Sequence, residues 1–243
     1  MPPHQVKAET SVRRSLSIYL GLMAYLALVK VVIDLASIKG VVPSQNELFS
    51  WQLISILTIA GGVCVWLGPS VGFPALWDAS ISTRNRLLLP ALVGLGLGAV
   101  TLTVQASTGL LEILTAAANV PAINIAFPGS ILFYSGGAII LEAIYRLIPI
   151  TLPLWLIANV ILRKRGQTPV FWVLAVLTSA IEPAEQASFV AGHLALMLVG
   201  AISTFAINLF QAYLFRRSGF LATLAFRLAY YLVVHVVGSI LGF

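Results

Sequence analysis

Seven ionisable side chains stand inside runs of apolar residues: Lys30, Asp34, Glu142, Arg146, His193, Arg227 and His235. A charge in hydrocarbon is costly, and one that persists there pairs with another or lines a functional path. Lys30 and Asp34 lie four apart, so one helical face carries both and each neutralises the other. Glu142 and Arg146 repeat that spacing deeper in an apolar stretch. Their chemistry has two readings. They are a neutral structural unit, or Glu142 sits in a partly wetted cavity as general base on water, with Arg146 setting its ionisation and orientation. His193 is either a hydrogen-bonded core residue or a ligand. Arg227 lies ten residues past Arg217, roughly 15 Å along a helix, and needs an anion. Glu142 is the deep carboxylate that can supply it.

Carboxylate and imidazole suit zinc, so Glu142, His193 and His235 are a conceivable metal set, but no local ligand spacing supports it and no cofactor is expected. The chain has no G-x-S-x-G, no H-E-x-x-H and no phosphate-cradling glycine loop. Its single cysteine, Cys64, excludes an internal disulfide and a cysteine metal cluster.

The elements that position these groups follow from composition. Of 243 residues, 59% are hydrophobic and 9% charged, whereas a soluble domain carries about a quarter charged residues. The reading is an integral membrane protein. Fourteen Lys and Arg against eight Asp and Glu give +6, an excess that belongs to membrane topology rather than to nucleic acid. Apolar runs of membrane-crossing length fall at 15–36, 51–68, 87–107, 129–162, 187–215 and 220–242, with a shorter one at 169–181. The fold class expected is an all-α, polytopic transmembrane bundle of about seven helices, six to eight. Residues 1–14 form a polar cytoplasmic segment and 15–243 a single transmembrane domain.

The start around Arg13-Arg14 resembles a twin-arginine export signal, but its apolar run is too long and lacks a cleavage site, so an uncleaved anchor is expected. Gly94 and Gly98 have the small-xxx-small spacing that lets helices pack closely. Pro149 and Pro153 are expected to break 129–162 into a membrane helix and a shorter re-entrant or interfacial piece. If that stretch crosses once, Arg13/Arg14, Arg84/Arg86, Arg163 to Arg165 and Arg216/Arg217 share one side. Seven net crossings in the cytoplasmic membrane, with the N-terminus cytoplasmic, then follow.

Three features in order carry a family resemblance. Leu141-Glu142-Ala143-Ile144-Tyr145-Arg146 is followed by Phe189-Val190-Ala191-Gly192-His193, then by a last helix after Arg216-Arg217-Ser218-Gly219. This resembles the CPBP intramembrane proteases, which include the CAAX prenyl proteases and the bacteriocin-processing or self-immunity proteins. Their pattern is Glu-Glu-x-x-x-Arg, Phe-x-x-x-His and His-x-x-x-Asn/Asp on successive membrane helices. Glu142 and Arg146 match the second glutamate and the arginine, and Phe189 to His193 match the second motif. Counting from Gly219 places the family histidine at Arg227 and its Asn/Asp at Tyr231. Tyr134-Ser135-Gly136-Gly137 also resembles a family feature.

The resemblance implies that the family's first glutamate and the Phe-x-x-x-His histidine activate water, while the third motif holds the oxyanion. Here Leu141 replaces that glutamate, and leucine cannot move a proton. Arg227 and Tyr231 replace the oxyanion-holding pair, although both can donate hydrogen bonds. The site residues expected are Glu142, Arg146, His193, Arg227 and Tyr231. The expected function is a catalytically impaired family member acting as a membrane scaffold or partner-binding subunit. The alternative is an active intramembrane endopeptidase that uses Glu142 and His193 on a peptide substrate. Partners are the lipid bilayer and a membrane protein or peptide, with no nucleic acid.

Overall fold

The computed structural model describes residues 3–36, 47–110, 113, 115–116, 124–187 and 194–242. These form helices α1 (Pro3–Ala36), α2 (Trp51–Val71), α3 (Arg84–Thr108) and α4 (Gly129–Ile161). The chain continues through α5 (Gln167–Ser179), α6 (Ile181–Ala187), α7 (Leu194–Ser218) and α8 (Phe220–Ile240). No strand occurs among the described residues. Six helical stretches, in α1 to α4, α7 and α8, are long and apolar enough to cross a membrane. The protein is an all-α integral membrane protein, and α1 already begins within the polar start.

One expectation is overturned in α4. The helix runs for 33 residues without a break, despite Pro149 and Pro153. Proline lacks an N–H and its ring presses on the carbonyl one turn earlier. Here π-helical turns at Ala143–Leu147 and Trp155–Ile161 flank the α-helical segment Ile148–Leu154. Pro149 thus falls in the first turn after the π register, where a missing N–H costs little, and Pro153 lies at the end of the α-helical segment, just before the second π turn. At about 1.5 Å per residue α4 is about 50 Å long, enough to cross a membrane once with a surplus that tilt or protrusion would take up. No re-entrant piece interrupts it.

The four basic clusters meet at one end of the bundle. Arg14 and Arg86 stack on Trp77 with guanidinium-to-ring distances of 4.8 and 4.5 Å. Arg86 also donates to the carbonyls of Asp78 and Ile81. Asn159 donates to the Ser70 carbonyl at 3.0 Å and accepts from Gln167 at 3.0 Å. Arg216 donates to Thr168 at 2.9 Å. Gly219, with φ of 83°, closes the α7–α8 turn against Pro74. The start of α1, the 72–83 loop, the α4–α5 turn and the α7–α8 turn are therefore neighbours.

The glycine spacing on α3 works as a packing device. A Cβ on Gly94 would collide with the carbonyl oxygen of Phe226, and one on Gly98 would lie 3.0 Å from Val233 Cβ and 3.1 Å from the Tyr230 carbonyl. Gly96 faces open space. Of these glycines, the pair four apart lets α3 approach α8 closely, and Tyr230 adds a hydrogen bond to Thr101 across the same contact at 3.2 Å.

Candidate functional site

Four helices converge on a buried polar cluster within the apolar bundle. Helix α4 brings Glu142 and Arg146, which are 0% and 1% exposed, and α8 brings Arg227, 4% exposed. Helix α7 contributes Asn208 and Gln211, each 1% exposed, and α6 contributes Glu182. Arg227 and Tyr231 share one face of α8 because they are four apart.

Glu142 is the hub. Its Oε1 accepts from Arg227 Nε at 2.5 Å and from Gln211 Nε2 at 2.8 Å, and it lies 3.7 Å from Arg146 Nη1. Its Oε2 has no hydrogen-bond partner among the described residues, and neither has Arg146 Nη1. Arg146 Nη2 donates to Asn208 Oδ1 at 2.5 Å and to Gln211 Oε1 at 2.9 Å. Arg227 uses its remaining nitrogens on Tyr231 at 2.9 Å, Gln211 at 3.2 Å, Glu182 at 3.3 Å and Asn208 at 3.4 Å. Each amide oxygen thus bridges both guanidiniums. Two carboxylates and two guanidiniums sum to zero formal charge, the condition under which buried ions are tolerated.

The sequence placed Glu142, Arg146, Arg227 and Tyr231 at one site, and the structure brings these four together. Arg227 has the expected partner in Glu142 and a second one in Glu182. Glu182 and Glu185 both lie on α6. The segment is helical, and a bend at Ala180 between α5 and α6 turns Glu182 towards Arg227. Asn208 Nδ2, 3.5 Å from the Ser179 carbonyl, ties α7 to that bend. Tyr145 donates to Glu185 at 2.7 Å and ties α4 to α6. His193, with the rest of Phe189 to His193, lies outside the described residues.

A second cluster adjoins the first through Tyr231. The His235 ring stacks on Tyr134 at 4.2 Å and meets Tyr231 edge-on at 4.8 Å. His235 Nδ1 is 2.7 Å from Asn124 Oδ1, and Tyr134 OH accepts from the Ile125 N–H at 3.2 Å. Next to Tyr134, Ser135 is hydrogen-bonded to Tyr25 at 2.5 Å. A Cβ on Gly136 would lie 2.6 Å from the Phe49 ring. The Tyr134-Ser135-Gly136 stretch therefore docks α4 on α1 and on Phe49 while aiming Tyr134 at His235. Lys30 and Asp34 pair at 2.6 Å on α1. Among the described residues, no three His, Cys, Asp or Glu side chains are grouped to hold a metal ion.

Asn208, Gln211 and Glu182 escaped the sequence reading. The signal was present in part, since two amides three apart within an apolar run mark a helix face turned to polar partners. Two deep arginines against one deep carboxylate also left a charge unbalanced. Compared with family models, curated proteins and solved structures, the chain matches none.

Proposed function

We propose that this protein is a catalytically silent relative of the CPBP intramembrane proteases and acts as a membrane scaffold or partner-binding subunit, with its N-terminus on the cytoplasmic side. The observation that carries this reading is the placement of Glu142. The carboxylate that aligns with the family's motif is fully buried, and its Oε1 is held by Arg227 at 2.5 Å and by Gln211 at 2.8 Å. A general base must present a lone pair to water within hydrogen-bond reach. Here that oxygen already serves as counter-ion, and Leu141 stands where a second carboxylate would share the work. Arg227 has its Nε, Nη1 and Nη2 bonded to protein groups, which removes the donors an oxyanion would need.

One observation favours the endopeptidase alternative. Glu142 Oε2 lacks a partner among the described residues, so one carboxylate oxygen remains for a water, with His193 as the second group of the pair. A cleavage assay separates the readings. Purified protein in lipid nanodiscs, offered a quenched fluorescent library of apolar peptides, is expected to show no turnover above the Glu142→Gln variant. Turnover that disappears in both Glu142→Gln and His193→Ala while folding is retained overturns the silent reading.

A further inference from the structure

The basic end is not uniform. Arg14 and Arg86 are occupied by Trp77, and Arg86 also by backbone carbonyls, with Asp78 close by. At the α4–α5 turn the situation differs. Arg163, Lys164 and Arg165 are exposed and their side chains make no ion pair among the described residues. The turn is held by its backbone, with Lys164 N–H bonded to the Ala158 carbonyl at 2.8 Å and Arg165 N–H to Leu162 at 3.1 Å. Arg216 is drawn to the same place. It lies 4.6 Å over the Phe171 ring, donates Nη2 to Thr168, and has Nη1 buried without a hydrogen-bond partner. Arg217 is adjacent and exposed. Neither the stretch 155–180 nor 210–222 contains an Asp or Glu, and none of the five cations at this corner makes an ion pair among the described residues.

Directly beneath the turn the surface is apolar. Val160, Ile161 and Leu162 at the end of α4 are 51%, 64% and 40% exposed, and Trp172 and Val173 on α5 are 40% and 59% exposed. Fixed cations above an apolar face with a tryptophan at headgroup depth match one class of molecule: phosphate at the top and acyl chains below. We infer that the α4–α5 turn, with Arg216 and Arg217, is a binding site for an anionic glycerophospholipid. A soluble phosphate would satisfy the cations but leave the apolar face unused, and a zwitterionic lipid would cover the face but leave the charge uncompensated. The site does not depend on whether the protein hydrolyses peptides. It adjoins the end of α7, whose Gln211 and Asn208 lie roughly one and a half and two turns before Arg216.

The test uses the full chain in dodecyl maltoside with phosphatidylglycerol, phosphatidylcholine or inorganic pyrophosphate added, read by native mass spectrometry and by thermal melting. Phosphatidylglycerol is expected to stay bound and raise the melting temperature, and the other two are not. Each cation near a membrane phosphate adds about fivefold in affinity, so Arg163→Gln/Lys164→Gln/Arg165→Gln is expected to weaken phosphatidylglycerol binding roughly a hundredfold. Arg13→Gln/Arg84→Gln, which changes the same basic end elsewhere, should leave binding unchanged. Should the triple variant fail to fold, Arg217→Gln alone is expected to weaken binding about fivefold. Equal loss in the Arg13/Arg84 control, an equal effect of pyrophosphate, or full binding by the triple variant would each overturn the site.

Discussion

Replacing Arg227 with leucine tests the polar cluster most directly. The substitution removes the Nε bond to Glu142 at 2.5 Å, the bond to Tyr231 at 2.9 Å and the shared contacts to Gln211, Glu182 and Asn208. Four formal charges summing to zero become three, with one carboxylate in excess. Glu142, fully buried, keeps Gln211 and the Arg146 nitrogen 3.7 Å away. Removing one partner of a buried pair costs about 3–5 kcal/mol, because the other charge stays desolvated. In a chain of this size that lowers the melting temperature by about 10 °C. The companion Glu142→Gln/Arg227→Leu restores neutrality between Glu182 and Arg146, so it should recover about 1–3 kcal/mol relative to additive losses. Melting followed by tryptophan fluorescence in detergent reads both. An Arg227→Leu protein melting within about 2 °C of the parent, or a double variant at or below the additive value, refutes the network as a stabilising unit.

Three further outcomes follow from named contacts. Gln211→Leu removes the amide that bridges Glu142, Arg146 and Arg227, and should cost about 1–3 kcal/mol in the same melting assay; a neutral result means the arginines satisfy themselves. Tyr231→Phe keeps the ring against His235 and loses only its hydroxyl bond to Arg227, so a loss of about 1–2 kcal/mol is expected, well short of that in Arg227→Leu. Gly94→Leu drives a side chain into the Phe226 carbonyl and should separate α3 from α8. The expected readout is loss of the folded species in size-exclusion chromatography, while Gly96→Leu, which meets nothing within 4 Å, folds normally.

Much of this architecture is legible in the sequence because hydrocarbon imposes simple demands. Apolar runs of sufficient length gave the crossing helices, and the basic residues between them gave the shared end. The Gly94/Gly98 spacing and the Lys30–Asp34 pair follow from helical periodicity and appear as expected. What the sequence hides is where the backbone departs from α-geometry. Pro149 and Pro153 read as a break because the compensating π turns at Ala143–Leu147 and Trp155–Ile161 leave no composition signature. The inward aim of Glu182 depends on a bend at Ala180, which apolar patterning does not encode. Asn208 and Gln211 carry no charge, so the pattern of ionisable groups does not mark them, although amides do most of the bridging here.

The amides also bear on how this buried cluster is held together as structure. A lone Glu142–Arg227 pair would leave guanidinium protons and carboxylate lone pairs facing hydrocarbon, each costing a substantial part of its hydration. Asn208 and Gln211 convert that deficit into a branched set of bonds in which each amide oxygen accepts from both arginines. Gln211 uses its remaining end to donate to Glu142, so one residue serves both signs of charge. An active carboxylate needs the opposite arrangement, with few fixed donors and a path for water. Among the described residues, Glu142 Oε2 and Arg146 Nη1 have no hydrogen-bond partner, and they belong to the i and i+4 residues of one helix. In the proposed endopeptidase alternative, Glu142 Oε2 is the oxygen that would take a proton from water, so loss of turnover in Glu142→Gln is the outcome that would tell against the structural reading.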